Sequence, residues 1–131
     1  MSDSFSLKAG GDILPSRFIK ISADYTAVAA TTGSDLCFGI SHDSTKAAPA
    51  DGLASDKHAE DGDHVSYYKL GDSCLLELGG TVAAGGLIEP STAGVGVAAT
   101  GAGDLAGAVA LEGGVSGELI RVQILPVRLH A

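Results

Sequence analysis

Alternating apolar and polar positions predict a strand over Glu118–Val127. Ile120, Val122 and Ile124 fall on one side of this stretch, whereas Arg121 falls on the other. The side chains of a strand point alternately to opposite faces, so this pattern leaves one face entirely apolar. We therefore expect this strand to cover a hydrophobic core.

Shorter runs of the same kind predict further strands. They lie at Arg17–Ser22, Thr26–Ala30, Leu36–Ser41, His64–Leu70 and Cys74–Leu78. The last two are separated only by a Gly-Asp-Ser turn, so we expect them to form a hairpin. Many short strands divided by Gly-rich turns are typical of a small barrel or sandwich. The predicted fold is mostly β: a small Gly-rich β-barrel or sandwich with an extended N-terminal arm and one long loop.

Two segments fall outside this pattern. Met1–Leu14 is polar, contains glycine and lacks a helical period, so we expect a flexible arm that ends at Pro15. His42–His64 is rich in Asp, Ala, Ser and Gly, and loops of this length usually carry a function or are mobile. The predicted organisation is therefore an arm at residues 1–14 and a single β domain at residues 15–131, with the long loop at residues 42–64.

One short phrase occurs twice. VAATTGSDL begins at Val28 and VAATGAGDL begins at Val97, and six of the nine positions are identical at an offset of 69. Each copy predicts the end of a strand, a glycine turn and an Asp, Asp35 or Asp104, that can accept hydrogen bonds from nearby backbone amides. The copies either occupy equivalent places in a barrel or match by chance in a biased composition.

The composition is rich in small residues. Glycine accounts for 19 of 131 residues, aromatic residues for 5%, and tryptophan is missing, while 45% of the chain is hydrophobic. This combination indicates either tight turns with close backbone packing or apolar surface that partner chains complete. The formal net charge of −8 disfavours direct binding to nucleic acid or to anionic membranes.

Neither secretion nor membrane insertion is expected. The N-terminus lacks the apolar centre of a signal peptide, and no apolar run reaches the length of about 18 residues that a membrane helix needs. Cys37 and Cys74 lie in apolar runs and are expected to be free, buried thiols of a protein made in a reducing cytoplasm. Their spacing alone leaves a disulfide open.

The sequence predicts no catalytic site, no cofactor and no metal. The stretch GVGVAATGAG lacks the strand–glycine–helix context of a dinucleotide loop. The ends of the long loop carry the best candidates for a metal site: His42, Asp43, His58, Glu60, Asp61, Asp63 and His64. Their spacing matches no common zinc pattern, and a solvated acidic loop with incidental histidines is the preferred interpretation.

The chain resembles a family of tailed-phage capsid decoration, or cement, proteins. The motifs that carry the resemblance are Pro15–Ile21, Gly39–Ser41, Ala83–Leu87 and Gly117–Val122. The resemblance as a whole extends over most of the chain except the His42–His64 loop, which is enlarged. One departure is Gly86, where the family pattern has Asp. The resemblance implies a β-rich protein without enzymatic activity on the virion, at the capsid exterior, that is synthesised in the cytoplasm of the bacterial host.

The resemblance also implies partners. It implies that the protein forms a homotrimer and clamps neighbouring subunits of the major capsid protein, which stabilises the assembled shell. We expect the apolar residues of the arm, Phe5, Leu7, Ile13 and Leu14, to make the capsid contacts. The alternative for these four is a free tail with scattered apolar residues.

Two other functions are weighed against the cement protein. One is a receptor- or glycan-binding module on the virion surface, of head-fibre or adhesin type, although Tyr67–Tyr68 is the only aromatic pair available as a sugar platform. The other is a small hydrolase in which His42 or His64 acts with a nearby serine. It ranks last because Ser and Asp occur throughout the chain, and the sequence does not place any of them next to these histidines.

Overall fold

The computed structural model describes residues 7–43, 57–101 and 104–128. Its strands are, in chain order, β1 (Leu7–Ala9), β2 (Phe18–Ala23), β3 (Thr26–Ala29), β4 (Gly39–Ser41), β5 (His64–Val65), β6 (Tyr67–Tyr68), β7 (Ser73–Glu77), β8 (Leu87–Pro90), β9 (Gly96–Ala98), β10 (Leu105–Ala110) and β11 (Leu119–Arg128). A single 3-10 turn at Thr92–Gly94 precedes β9. No helix within these described residues is long and apolar enough to cross a bilayer.

The first six strands form one small barrel. Their order is β5-β1-β3-β2-β4-β6, and only Ser66 separates β5 from β6 in the chain. The two edges of the sheet are therefore joined by one nearly continuous stretch, which closes the sheet on itself. A closed sheet leaves no long open edge for pairing with another chain.

The remaining strands form a second barrel. Their order is β7-β11-β10-β8-β9, and a parallel bridge between Leu78 and Gly96 joins the outer strands. The prediction of a mostly β protein with a small Gly-rich barrel is confirmed. The predicted hairpin between His64–Leu70 and Cys74–Leu78 is wrong, because β6 pairs with β4 in the first barrel and β7 pairs with β11 in the second.

The two barrels are two copies of one folding unit. Ile19 pairs with Ala29 in the first barrel, and Ile88 pairs with Ala98 in the second, so both numbers are higher by 69. The same shift relates the pairing of β2 with β4 to that of β8 with β10. The expectation that the repeated phrase occupies equivalent places is confirmed, and the equivalence extends through whole ladders.

The equivalence continues past the long loop with a smaller shift. Leu7 pairs with Val65, and Leu76 pairs with Ile120, so the shift is 69 before the loop and 55 after it. The second barrel simply has a shorter connection at this point. We call two residues counterparts when these shifts relate them.

The turns repeat as well as the ladders. Gly62 has φ of +87°, and its counterpart Gly117 has φ of +89°. The N–H of Gly62 donates a hydrogen bond to the carbonyl of Ala9, and the N–H of Gly117 donates one to the carbonyl of Leu78, the counterpart of Ala9, both at 2.8 Å. Glycine suits both turns because a positive φ costs it no steric strain.

Residues 7–14 belong to the first barrel and do not form a free arm. Leu7–Ala9 is β1, and Ile13 forms a bridge with Ala59. Leu7 is only 2% exposed, because Leu7 and Ala9 share the inward face of the strand. Ile13 is only 1% exposed. The polar and glycine-rich neighbours in the sequence concealed this short alternation. The other part of the predicted arm, residues 1–6, lies outside the described residues.

The apolar interior is divided between the two barrels unequally. One cluster lies inside the first barrel and contains Leu7, Ile13, Ile19 and Val65 among its members. The larger cluster fills the second barrel and also includes three residues of the first: Phe18, Ala30 and Ile40. The two barrels are therefore packed together through a shared core.

We expect Leu7→Ala to destabilise the protein by about 2–5 kcal/mol, the usual cost of removing a buried leucine side chain. Chemical unfolding followed by circular dichroism measures this change. Lys8→Ala, on the exposed side of the same strand, is the matched control and should be nearly neutral. Equal, small effects of both substitutions would contradict the placement of β1 in the barrel.

Candidate functional site

The predicted capsid-contact residues do not share an exposed surface. The side chains of Leu7 and Ile13 are buried, so neither is available to a partner in the folded protein. Leu14 is half-buried, and its carbonyl accepts a hydrogen bond from Ser41 Oγ at 2.7 Å. Phe5 lies outside the described residues. The exposed apolar surface lies at other positions of the first barrel. These positions are identified by comparison with the residues that the second barrel uses at the junction between the barrels.

The junction depends on a glycine in the second barrel. A Cβ atom at Gly107 would lie 2.7 Å from Phe18 Cε1 and 2.8 Å from Cys37 Sγ, closer than real contacts allow. The missing side chain therefore leaves the space that Phe18 fills, and Phe18 has no exposed surface. A bulky residue of the first barrel meets a residue without a side chain in the second.

A second glycine repeats this arrangement at the edge of the junction. A Cβ atom at Gly94 would lie 2.8 Å from the carbonyl oxygen of Phe18 and 2.9 Å from Arg17 Cβ. Arg17 donates a hydrogen bond to the carbonyl of Ala93 at 3.0 Å and forms an ion pair with Glu77 at 3.2 Å. The first barrel thus presents Arg17 and Phe18 to two glycine positions of the second.

The two copies of the repeated phrase also meet here. Leu105 N–H donates to the carbonyl of Gly33 at 2.7 Å. In the first copy, Asp35 accepts hydrogen bonds from the backbone N–H groups of Thr31 and Thr32, and the second copy has a corresponding bond from Gly101 to its own aspartate. The expected role of both aspartates in their turns is confirmed.

The counterparts of the buried glycines are large, exposed residues. Phe38 is the counterpart of Gly107 and is 38% exposed, and Tyr25 is the counterpart of Gly94 and is 65% exposed. Leu36 and Ile21 lie beside them at 64% and 42% exposure. We call these four first-barrel residues the apolar face: Ile21, Tyr25, Leu36 and Phe38.

A groove runs along the apolar face. It has a volume of about 390 Å³, and its lining is Lys20, Ile21, Leu36, Cys37, Phe38, Leu70 and Ile124. Leu70 is itself 62% exposed and extends the apolar surface. Contiguous apolar surface of this kind marks an interaction site more often than isolated exposed residues do.

One polar pair borders the apolar face, and its counterpart in the second barrel differs in charge. Lys20 Nζ lies 3.0 Å from Asp35 Oδ1. Burial alone would raise the pKa of Asp35, but the Thr31 N–H, Lys20 and the Thr32 N–H outweigh burial and hold this pKa below its usual value. The charges of this pair compensate each other, so the border of the face carries little net charge.

The counterpart of Lys20 is Glu89, which lies beside Asp104. Burial, and then the hydrogen bond and negative charge of Asp104, raise the pKa of the Glu89 carboxyl. A Cβ atom at Gly33 would clash with Glu89 Oε2, so the first barrel covers this pair directly. Two carboxyl groups in contact favour sharing one proton over being ionised together.

The histidines at the ends of the long loop are held by neighbouring side chains and backbone. The His42 ring lies 4.3 Å from the Tyr68 ring and 6.2 Å from the His58 ring, between centroids. His58 Nε2 accepts a hydrogen bond from Ser66 N–H at 3.0 Å, which occupies the lone pair that a metal would need. Burial, and then His58, lower the pKa of His42.

Within residues 7–43, 57–101 and 104–128, no group of three or more His, Cys, Asp or Glu side chains is placed to hold a metal ion. Cys37 and Cys74 are both free thiols, which resolves the question of a disulfide. Burial, and then nearby carboxylates, raise the pKa of each to about 12, so neither is a reactive thiolate near neutral pH.

Sequence reasoning missed the apolar face. The signal was present in the repeated phrase, because extending its offset of 69 to neighbouring positions aligns Phe38 with Gly107 and Tyr25 with Gly94. What the sequence could not supply was the knowledge that one barrel buries these positions and the other leaves them exposed.

We expect Glu89→Gln to remove part of the pH dependence of stability. The folded pKa of Glu89 lies above its unfolded value, so the protonated carboxyl contributes stability that is present below the unfolded pKa, about 4.3. That contribution is lost as the pH rises through the folded pKa. The variant, which keeps a donor for Asp104, should gain stability relative to the wild type as the pH rises above the unfolded pKa of about 4.3.

Urea unfolding at a series of pH values measures the difference. Glu118→Gln is the matched control, because Glu118 is exposed and accepts its hydrogen bond from Val115 N–H. A constant difference between Glu89→Gln and the wild type over the whole pH range would contradict the shared proton.

Comparison with known proteins identifies the fold. No protein-family model and no curated protein matches the sequence. Among solved structures, the crystal structure of the N base of the head fiber gp8.5 of bacteriophage phi29 is similar to this chain, with a TM-score of 0.65 and 17% identity. The match covers 97% of each chain. The fold of this chain is therefore similar to that of a phage head fiber base.

Proposed function

We propose that this protein is a structural component of a bacteriophage virion that attaches to the outside of the capsid as a homotrimer. The observation that carries this proposal is the similarity to the head fiber base over 97% of both chains. The proposed role is one of binding, without enzymatic activity.

The partners of the proposed protein are the major capsid protein and other copies of itself. Its net charge of −8 disfavours direct contact with the packaged DNA, and no membrane partner is proposed. In its cement role each trimer clamps neighbouring capsid subunits. By mass action, a protein that binds only the assembled shell stabilises that shell, and several modest contacts combine through their high effective concentration.

A second candidate has a specific observation in its favour. Because the similar structure is the base of a head fiber, this chain can also serve as the capsid-bound base of a receptor- or glycan-binding fiber. The two functions share capsid attachment and differ in one consequence. A cement protein strengthens the shell, whereas a fiber base need only remain attached to it.

We expect virions without this protein to assemble but to release their DNA at a lower temperature than complete virions. Each missing trimer removes contacts that must break together when the shell opens under internal pressure. A thermal DNA-release assay on both kinds of particle, with occupancy verified by gel, measures the shift. Identical DNA-release curves for the two kinds of particle, at full occupancy in the control, would reject the cement role and favour the fiber base.

Adding EDTA to complete virions should not detach the protein.

We expect the isolated protein to form trimers. The exposed apolar face is the physical reason, because its removal from water favours association. Sedimentation equilibrium at micromolar concentration should give a mass of about three times 13.0 kDa. A monomeric mass throughout that concentration range would contradict self-association in solution.

A further inference from the structure

The two barrels of one chain use different surfaces to contact each other. The first barrel contributes Ser16–Phe18, Gly33 and Cys37. The residues that the second barrel contributes are Glu77, Glu89, Ala93, Gly94, Asp104, Leu105 and Gly107. Their counterparts in the first barrel are Lys8, Lys20, Asp24, Tyr25, Asp35, Leu36 and Phe38, so no position serves in both sets.

A contact between two similar units through different surfaces is head-to-tail. Such a contact leaves one joining surface unused at each end of the pair. On the first barrel, the unused surface is the apolar face. On the second barrel, it is Ala83–Leu87, in which the counterparts of Ser16, Arg17 and Phe18 are Gly85, Gly86 and Leu87. Ala83, Ala84 and Gly85 are exposed, and Gly86 and Leu87 are half-exposed.

The residues on these two unused surfaces are apolar at the centre and complementary in size at the edge. Within the chain, bulky Phe18 faces Gly107. On the unused surfaces, Phe38 faces Leu87, the counterpart of Phe18, so two apolar side chains meet at the centre. At the edge the sizes are reversed, because Tyr25 stands opposite the position of Gly86, and one large and one small member can pack closely there.

The charges permit this contact. Ala83–Leu87 carries no charged side chain, and on the opposite surface Lys20 and Asp35 pair with each other. Two further charged residues of that surface, Lys8 and Asp24, lie beside Tyr25 and are exposed, so they stay at the edge of the contact in water. The contact has no equivalent of the ion pair between Arg17 and Glu77, but a partly exposed pair of this kind contributes little to association.

We propose that the apolar face of one copy packs against Ala83–Leu87 on the second barrel of the next copy. The contact repeats, between chains, the one that joins the two barrels within a chain. This inference rests on the proposed self-association and specifies its surface. When a head-to-tail contact is repeated, the copies form a closed ring if the rotations between successive copies add up to a full turn. The proposed trimer is a ring of this kind.

Cysteine cross-linking tests the pairing directly. Gly94 Cβ would lie 2.9 Å from Arg17 Cβ within the chain, so the counterparts Tyr25 and Gly86 of neighbouring copies should lie within disulfide reach. Arg17 demonstrates that this position of the fold accepts a side chain. Tyr25→Cys and Gly86→Cys are prepared as separate proteins, mixed and oxidised, and the parent chain measures the background from the native thiols.

The expected result is a covalent dimer in the mixture and none in either variant alone, because a head-to-tail contact never places position 25 opposite itself. A dimer of Tyr25→Cys alone would indicate a two-fold contact and overturn the proposal. Absence of cross-linking in the mixture, under conditions where the parent chain is trimeric, would also overturn it.

A charge placed in the apolar face should separate the copies. Phe38→Asp should raise the dissociation constant of self-association at least about tenfold, which corresponds to about 1.4 kcal/mol. Val115→Asp is the matched control, because Val115 is 52% exposed and lies outside both surfaces. Sedimentation equilibrium measures both, with circular dichroism to verify the fold.

An unchanged constant in Phe38→Asp would reject the apolar face as the interface. If the wild type itself is monomeric in solution and on isolated shells, proposed self-association fails and this inference fails with it. If the wild type is trimeric and only the variants behave unexpectedly, the surface alone is wrong and the proposed function stands.

Discussion

The close approach of Phe18 to Gly107 is the contact on which the rest of the structure depends. A phenylalanine side chain without exposed surface enters the second barrel only because the facing residue has no side chain. This contact merges the core of the second barrel with Phe18, Ala30 and Ile40 of the first. Dense packing allows no extra atom at such a site, so the glycine determines how the two barrels are held.

The junction joins two copies of one folding unit, and it joins them head to tail. Two units with the same strand pairing can pack in a symmetric way or head to tail, and the different surfaces used here make the contact head-to-tail. The units have then diverged where their surroundings differ. Lys20 forms an ion pair with Asp35 in the open part of the first barrel, whereas its counterpart Glu89 shares a covered site with Asp104.

This divergence accounts for the exposed apolar surface. Phe38 and Tyr25 occupy positions that the second barrel fills with glycine and buries against its partner barrel. Four large residues left in water are costly for an isolated chain and useful for one that associates.

The sequence by itself determined the class of fold and most of its strands. Period-2 alternation at Glu118–Val127 and in the shorter runs was sufficient, because it reflects burial of one strand face, which is a local property. The repeated phrase indicated equivalent units, and both Asp35 and Asp104 were correctly assigned to their turns, since these hydrogen bonds span only a few residues.

Only the tertiary structure decided which strands pair and which surfaces remain exposed. The adjacent strands β6 and β7 suggest a hairpin in the sequence, yet each closes a different barrel. Leu7 was expected in a free arm and lies in a core, because its partner Val65 is distant in the chain. The apolar face follows the same rule. Whether Phe38 is buried or exposed depends on contacts between the barrels. The pattern of apolar and polar residues near Phe38 in the sequence does not predict those contacts.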